Sequence, residues 1–255
     1  MAAVTPSPAA PLLSVRGLTR HFGGIRAVDG VDFDVPEGQV RAIIGPNGAG
    51  KTTFVSLICG RILPSGGTIL FDGVDITRMP AHRRVLAGIA YTFQITSIYS
   101  GLSVRDNVAL AVQRRHVGGK GARLSHRAFA AEIERTLGRV GLAARAGEQA
   151  GNLAYGHQRL LELAMGLALA PRLLILDEPT QGLSDAEIDG FVSLVREIAG
   201  GTTVLLIEHN MAVVMALAGR ITVMDQGRVI AEGTPAQVKA DPAVQAAYLG
   251  APADV

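Results

Sequence analysis

A glycine-rich stretch carries the clearest chemistry in this 255-residue sequence. It fits the spacing Gly-x-x-x-x-Gly-Lys-Thr, in which successive backbone N–H groups can turn toward phosphate oxygens. Lys51 adds a positive charge that can reach the β- and γ-phosphates, and the Thr52 hydroxyl can ligate Mg²⁺. We therefore predict that nucleotide phosphates bind to Gly45, Pro46, Asn47, Gly48, Ala49, Gly50, Lys51, Thr52 and Thr53.

The residues on either side of this loop are suited to hold it. Residues 40–44 are typical of a buried strand, and residues 53–58 are typical of a helix that begins directly after the loop. Phosphates in the loop would then lie on a helix N-terminus, where free N–H groups and the helix dipole favour anions.

Two later strand-like segments end in polar side chains. Residues 173–176 are aliphatic and lead into Asp177 and Glu178, and residues 203–207 lead into Glu208 and His209. At the carboxyl ends of parallel strands, Asp177 can hold the Mg²⁺ shell and Glu178 can orient or deprotonate an attacking water. A solvated acidic turn is the alternative for the first pair. The alternative for His209 is a purely structural role. Its position at the end of a strand favours a functional role instead.

Two apolar features leave alternatives open. Phe22 can belong to the core, or it can stack on a purine, since an aromatic face accepts any base. Residues 95–102 are apolar but lack a clear period, and a partner surface is one candidate for covering them.

Composition limits the class of protein. The formal net charge of +2 gives no field that would make nucleic acid a main partner. Cys59 is the single cysteine, which agrees with a reducing compartment, and its apolar neighbours predict an inert core thiol. No window is apolar enough to span a bilayer, and residues 1–11 lack the features of a signal peptide. We expect residues 1–11 to be a loose tail and the protein to be cytosolic unless a partner holds it at a membrane.

The remaining pattern indicates two further regions. Strand-like segments at 12–16, 31–35, 40–44 and 66–73 suggest a small antiparallel sheet beside the nucleotide core, and residues 103–170 turn helical in character. Helix starts are expected at Ser103, Ser184 and Thr234. The window 114–127 holds basic but no acidic residues: a solvated loop is the favoured interpretation, and contact with anionic headgroups is the other.

Taken in order, these motifs resemble those of ATP-binding-cassette (ABC) ATPases over nearly the whole chain. Gln94 resembles the Q-loop glutamine, residues 173–178 the Walker B strand, residues 182–185 the D-loop, and His209 the switch histidine. Phe22 then resembles the aromatic residue that stacks on adenine. The most specific match precedes the acidic strand and resembles the ABC signature: Leu153, Ala154, Tyr155, Gly156 and His157.

The resemblance implies an α/β fold of the P-loop NTPase class. It implies a RecA-like parallel-sheet core, an N-terminal antiparallel β subdomain and an inserted helical subdomain at about 96–170, within one domain covering 12–250. It also implies ATP and Mg²⁺ as ligands, with the metal held by Thr52, Gln94 and Asp177. Glu178, His209 and Gln94 would be the catalytic residues.

Softer matches at 92–94, 207–211 and 247–250 resemble the ATP-binding subunits of branched-chain or hydrophobic amino acid importers. This implies a peripheral protein on the cytoplasmic face of the inner membrane. Its partners would be permease subunits, a second ATPase subunit (related or identical) and, indirectly, a solute-binding protein. Two cassettes would each enclose ATP between one phosphate loop and the partner's signature.

The signature departs from the family pattern at several positions. Ala154 replaces a serine whose hydroxyl contacts the γ-phosphate of the opposite subunit, and His157 replaces a glutamine. A charge-assisted hydrogen bond contributes about 1.5–3 kcal/mol, so the site that faces this signature is expected to bind or turn over ATP more weakly. Lys51, Asp177 and Glu178 are all present, and hydrolysis is still predicted.

Three alternatives to a branched-chain importer subunit follow. The first is a soluble ABC ATPase of Fe–S assembly, translation or DNA repair. The absence of a strong basic patch and the apolar segment after Gln94 argue against it. The second is a non-catalytic nucleotide-binding regulator, suggested by Ala154. The third is an importer subunit for another solute, such as urea or amides.

Overall fold

The computed structural model describes residues 10–92, 97–116 and 124–249, with side chains through residue 246. Gln94 lies outside the described residues, as do Lys120 and Arg123 of the basic window and the predicted tail residues 1–9.

The first sheet is antiparallel, as predicted, but it does not contain segment 40–44, which pairs in the second sheet, so that part of the prediction was wrong. The strand order of the first sheet is β2-β1-β4-β5. Its first two strands are much longer than the predicted segments, so those predicted bounds were wrong. In β1, Gly17 has a φ of 53° and donates its N–H to Asp32 Oδ1 at 2.7 Å, which forms an irregularity inside a continuing strand. The strands are β1 (Leu13–Phe22), β2 (Ile25–Val35), β4 (Gly66–Phe71) and β5 (Val74–Asp75).

The second sheet has the order β10-β9-β3-β8-β7-β6. All neighbouring pairs are parallel except β9 and β10, which form an antiparallel edge. Every residue of β7 and β8 is buried, which fits the aliphatic runs in the sequence. The strands are β3 (Val40–Ile44), β6 (Ile89–Thr92), β7 (Leu173–Asp177), β8 (Thr203–Ile207), β9 (Arg220–Asp225) and β10 (Arg228–Gly233).

Helices cover both faces of this sheet and join the strands. The predicted starts at Ser103, Ser184 and Thr234 are confirmed: Ser103 accepts the Asp106 N–H at 3.0 Å, and the other two form capping boxes. The helices are α1 (Lys51–Ile58), α2 (Ala81–Ala87), α3 (Val104–His116), α4 (His126–Arg139), α5 (Tyr155–Ala168), α6 (Asp185–Ala199), α7 (Met211–Leu217), α8 (Pro235–Ala240) and α9 (Pro242–Leu249).

Three of these helices, α3, α4 and α5, fall in the range 96–170 and pack on one another through a shared apolar cluster. The helical character predicted for 103–170 is interrupted after α4, which ends at Arg139, because Gly141 then adopts a φ of 74°. Within the described ranges, none of the helices combines the length and apolar character that a membrane span requires.

The predicted solvated loop is wrong for Arg114 and Arg115, which lie on α3, and for Arg127, which lies on α4. Arg115 forms an ion pair with Glu132 on α4, and Arg114 donates to the His82 carbonyl at 3.4 Å. Because Arg115 is paired with Glu132, we no longer expect it to contact anionic headgroups. For the other described arginines, headgroup contact stays a prediction. Cys59 is buried, and burial raises the pKa of its thiol to about 12, which confirms the predicted inert thiol.

Candidate functional site

The carboxyl edge of the parallel strands brings the predicted site residues together. The phosphate loop follows β3, His209 follows β8, and Asp177 with Glu178 ends β7. Because β8 lies between β3 and β7, these three connections are adjacent at one edge of the sheet. This is the edge at which α/β sheets place ligands.

Close packing of the backbone fixes the glycines of the phosphate loop. A Cβ on Gly45 would lie 2.1 Å from the Met224 carbonyl oxygen, and one on Gly50 would lie 2.2 Å from the Ala27 carbonyl oxygen. Gly50 also has a φ of 95° and directly precedes the first residue of α1. These positions hold the loop against β2 and β9, with its N–H groups at the start of a helix.

The loop forms one wall of a cleft of about 600 Å³. Glu178 lines the opposite side, and the hairpin residues Ile25 and Gln226 also contribute. Phe22 is 45% exposed at the end of β1 and is not among the lining residues, whereas Ile25, its partner across the hairpin, is. From the loop itself, the lining residues are Asn47, Gly48, Ala49, Gly50, Lys51, Thr52 and Thr53.

Lys51 is buried at the base of this cleft. Its ammonium donates hydrogen bonds to the carbonyls of Gly45 at 2.6 Å and Pro46 at 3.0 Å. Burial lowers its pKa, and the carboxylates of Glu178 and Asp177 oppose that shift. The ammonium group is therefore held inside the loop by backbone carbonyl oxygens of the loop itself.

Asp177 is 2% exposed and accepts a hydrogen bond from the Tyr91 hydroxyl at 2.6 Å. Burial raises its pKa above the ordinary value, while the bond from Tyr91 acts in the opposite direction. Burial and the bond to Asp177 also raise the pKa of Tyr91, so the phenol is the proton donor of the pair.

Glu178 lines the cleft and has His209 as a close neighbour, although His209 is not among the described residues that line the cleft. Glu178 has a φ of 45°, and its N–H donates to the Ile207 carbonyl at 2.8 Å. Its Oε1 lies 3.9 Å from His209 Nδ1, and the histidine side chain is 59% exposed. The strained backbone of Glu178 turns its side chain out of the sheet and toward the phosphate loop.

Glu208 holds these two loops in place, a role that sequence reasoning missed. The buried carboxylate accepts from the Thr180 N–H at 3.1 Å and from the Thr180 hydroxyl. Its other oxygen accepts from the N–H groups of His209 at 3.0 Å and Asn210 at 3.1 Å. An acidic residue beside a histidine at a strand end was the available signal, but its partner Thr180 lies 28 residues away in the chain.

The signature-like residues lie elsewhere on the surface. Ala154 is exposed and forms the N-cap of α5 without a side-chain hydrogen bond. Tyr155 is 43% exposed beside Gly182, and a Cβ on Gly156 would lie 2.1 Å from Glu187 Oε1. None of the five signature positions is among the described residues that line the phosphate-loop cleft. One chain thus presents the two motifs separately.

A buried ion pair connects α5 with the other motifs and was also missed. Arg159 Nη1 lies 3.0 Å from Glu162 Oε2, and both side chains are nearly inaccessible. Arg159 Nη2 donates to the Glu178 carbonyl at 3.4 Å, and Glu162 Oε1 accepts the Ser97 N–H at 3.4 Å. An i,i+3 pair is usually a surface feature of a helix, so spacing alone gave no hint of burial.

Comparison with known proteins agrees with the geometry. The family model described as ABC transporter matches residues 28–181, more than half of the chain. The chain belongs to the ABC transporter ATP-binding family. A second family model, described as branched-chain amino acid ATP-binding cassette transporter, matches residues 228–254 of this ABC ATPase.

Individual relatives cover almost the entire cassette. The high-affinity branched-chain amino acid transport ATP-binding protein BraF of Pseudomonas aeruginosa is 40% identical over 251 residues, 94% of this chain and 98% of the relative. The protein of the same description named LivG, from Escherichia coli, is 39% identical over 250 residues, with the same coverage. A solved ATP-binding cassette of an ABC transporter, in its ADP conformation, has a TM-score of 0.84 at 28% identity, covering 95% of this chain and 100% of that one.

The predicted fold class and family are therefore confirmed, and the chain binds and hydrolyses ATP as a member of this family.

Proposed function

We propose that this ABC ATPase supplies the energy for an importer of branched-chain or other hydrophobic amino acids. The observation that carries this proposal is the match at residues 228–254, since this segment lies outside the ATPase motifs shared by the whole family. The names of the relatives BraF and LivG support the same class of solute. Within this proposal, residues 12–250 form one cassette, with a helical subdomain at about 96–170.

In the proposed mechanism, the phosphate loop binds the β- and γ-phosphates through its N–H groups and Lys51. The lysine would exchange its bonds to the Gly45 and Pro46 carbonyls for phosphate oxygens, which neutralise its buried charge better. Phe22 would stack on adenine from the β1–β2 hairpin, where its ring is exposed and Arg20 lies 4.5 Å from the ring centroid.

The proposed metal is Mg²⁺, which the chemistry of two described oxygen donors would suit. Thr52 offers an exposed hydroxyl and Asp177 a buried carboxylate, which are hard ligands of the kind that Mg²⁺ prefers, and Gln94 is the third predicted ligand. When bound, the ion would supply positive charge to the phosphate oxygens. Asp177 would hold that ion through water.

Glu178 is the proposed group that orients and activates the attacking water, and His209 would contact the γ-phosphate. The distance of 3.9 Å between their side chains supports a joint action of these two residues. Glu208 supports them, because its carboxylate ties the backbone of His209 to the loop that follows Glu178. Gln94 would complete the catalytic set.

The second half of each site would come from another cassette. Residues 153–157 would contact the γ-phosphate bound to the partner's loop, with the N-terminus of α5 and the Gly156 N–H as donors. The apolar segment 95–102, of which residues 95 and 96 lie outside the described residues, would receive a permease subunit that holds the protein on the cytoplasmic face of the inner membrane. A solute-binding protein would deliver the solute on the other side, and no specific nucleic acid takes part.

The test is transport by a reconstituted complex. The chain, co-purified with its membrane subunits, is placed in proteoliposomes with ATP on the cassette side, and uptake of labelled leucine is compared with uptake of labelled urea. We expect leucine uptake that Glu178→Gln abolishes while ATP stays bound, since the side chain keeps its shape but loses its charge. Urea uptake without leucine uptake would assign another solute. Absence of any membrane subunit from detergent extracts would favour a soluble ABC ATPase.

A further inference from the structure

Tyr91 reaches from β6 to the carboxylate that ends the neighbouring strand β7. It lies on β6, opposite Ile175 in the parallel pair β6–β7, and Asp177 is two residues further along β7. The side chain follows the strand direction, and its hydroxyl donates to Asp177 Oδ2 at 2.6 Å. This short distance is typical of an O–H group bonded to an ionised carboxylate.

The surroundings leave this contact little freedom. The Tyr91 ring packs against the buried cluster beneath α1, and the Arg61 guanidinium lies 5.5 Å from the ring centroid. Asp177 is 2% exposed, so water has little access to its carboxylate. Within the described residues, Tyr91 is the one residue whose side chain donates a hydrogen bond to the Asp177 carboxylate.

We propose that Tyr91 is a positioning residue for the metal-binding carboxylate: its hydroxyl occupies Asp177 Oδ2 and fixes the plane of the group, leaving Oδ1 for the metal shell. The proposal rests on the metal role proposed for Asp177. A carboxylate can rotate about its Cβ–Cγ bond, and a fixed donor to one oxygen removes that freedom before the metal arrives.

The position of Tyr91 in the chain adds a second consequence. β6 ends at Thr92, two residues before Gln94, which is another predicted metal ligand. The hydrogen bond from Tyr91 therefore connects β6, the strand that leads to Gln94, directly to Asp177. A shift of β6 along β7 would change the orientation of Asp177.

The experiment is removal of the hydroxyl by Tyr91→Phe, which keeps the ring and its packing. Mn²⁺ binding to the full chain with a non-hydrolysable ATP analogue is measured by electron paramagnetic resonance, and ATP hydrolysis is titrated with Mg²⁺. We expect Mn²⁺ affinity to fall about tenfold, the lower end of the effect typical of groups that orient metal ligands, and half-saturating Mg²⁺ to rise by a similar factor. We expect kcat at saturating Mg²⁺ to stay within about twofold.

A matched control and two contrary outcomes make the test decisive. Ser193→Ala removes an exposed hydroxyl from α6 and is expected to change neither titration. Unchanged Mn²⁺ affinity in Tyr91→Phe would overturn the inference, and so would a loss of kcat without a metal shift, which indicates a purely structural role. If the wild-type chain with nucleotide binds no Mn²⁺, the metal role of Asp177 is wrong, and the inference falls with it.

Discussion

In the proposed dimer, the strength of the donor surface, residues 153–157, would depend on the side chain at position 154. Ala154 is the N-cap of α5, yet its methyl group offers no oxygen to the free N–H groups of the first turn. Those N–H groups therefore remain available to an incoming phosphate, although the helix loses the stabilisation of a capping side chain.

Two substitutions at Ala154 separate these effects. Ala154→Ser supplies a hydroxyl that can donate to the γ-phosphate, a bond that contributes up to about 3 kcal/mol. We expect the ATP concentration at half-maximal hydrolysis to fall by about three- to tenfold. Ala154→Asp caps the helix equally well but places a carboxylate against the γ-phosphate, so hydrolysis is expected to fall to background with thermal stability maintained. Steady-state kinetics and thermal unfolding measure both.

The control for this pair is Ala131→Ser, at an exposed position on α4. It is expected to leave both measurements unchanged. If Ala154→Asp hydrolysed ATP at the wild-type rate, residue 154 could not lie near a γ-phosphate, and the assignment of the donor surface would be wrong.

Sequence alone predicted the side chains whose chemistry is explicit in a motif. Lys51, Asp177 and Glu178 follow from residue type and spacing. Tyr91 and Glu208 did not, because their roles depend on distant partners: the tyrosine bonds a residue 86 positions away, and the glutamate binds a loop 28 positions away. Such pairings exist only once the strand order is known.

At the scale of elements, α1 depends on a buried arginine at its C-terminal end. Arg84, on α2, donates to the carbonyls of Leu57 and Ile58, each at 2.7 Å. Its other donors reach Met79 at 2.8 Å and Thr77 at 3.0 Å. Burial lowers its pKa, and the negative end of the helix dipole offsets the cost of that burial.

We predict that Arg84→Met lowers the free energy of unfolding by about 3 kcal/mol or more, since it leaves several buried carbonyls without a donor. Arg84→Lys is expected to retain part of the stability, because an ammonium keeps the charge but cannot reproduce the planar fork. Urea unfolding gives both values. Arg83→Met, at the exposed neighbouring position, is the matched control and is expected to change stability by less than about 0.5 kcal/mol.

Element bounds were predictable where pattern and packing agree. β7 and β8 are aliphatic runs between polar residues, and the structure places them within one residue of the prediction. β1 was cut short in the prediction because Gly17 has the local signature of a turn, whereas antiparallel pairing with β2 and β4 carries the strand past it. Tertiary pairing outweighed the local signal there.

At the scale of the whole molecule, the two motifs that would enclose one ATP do not line the same cleft. Lys51 lines the phosphate-loop cleft, whereas Ala154, at the start of α5, does not. A complete site would therefore require two chains in a head-to-tail arrangement that closes with two-fold symmetry, so each chain both receives and donates.

This arrangement predicts complementation between two inactive variants. Lys51→Ala disables the phosphate loop but keeps its signature, and Ala154→Asp disables the signature but keeps its loop. In a mixed dimer, the loop of the second meets the signature of the first and forms one intact site. Random pairing at equal concentrations makes half of the dimers mixed, each with one of two sites intact, so we expect about a quarter of wild-type hydrolysis. Background activity in mixtures shown by light scattering to contain dimers would contradict a site shared between identical chains.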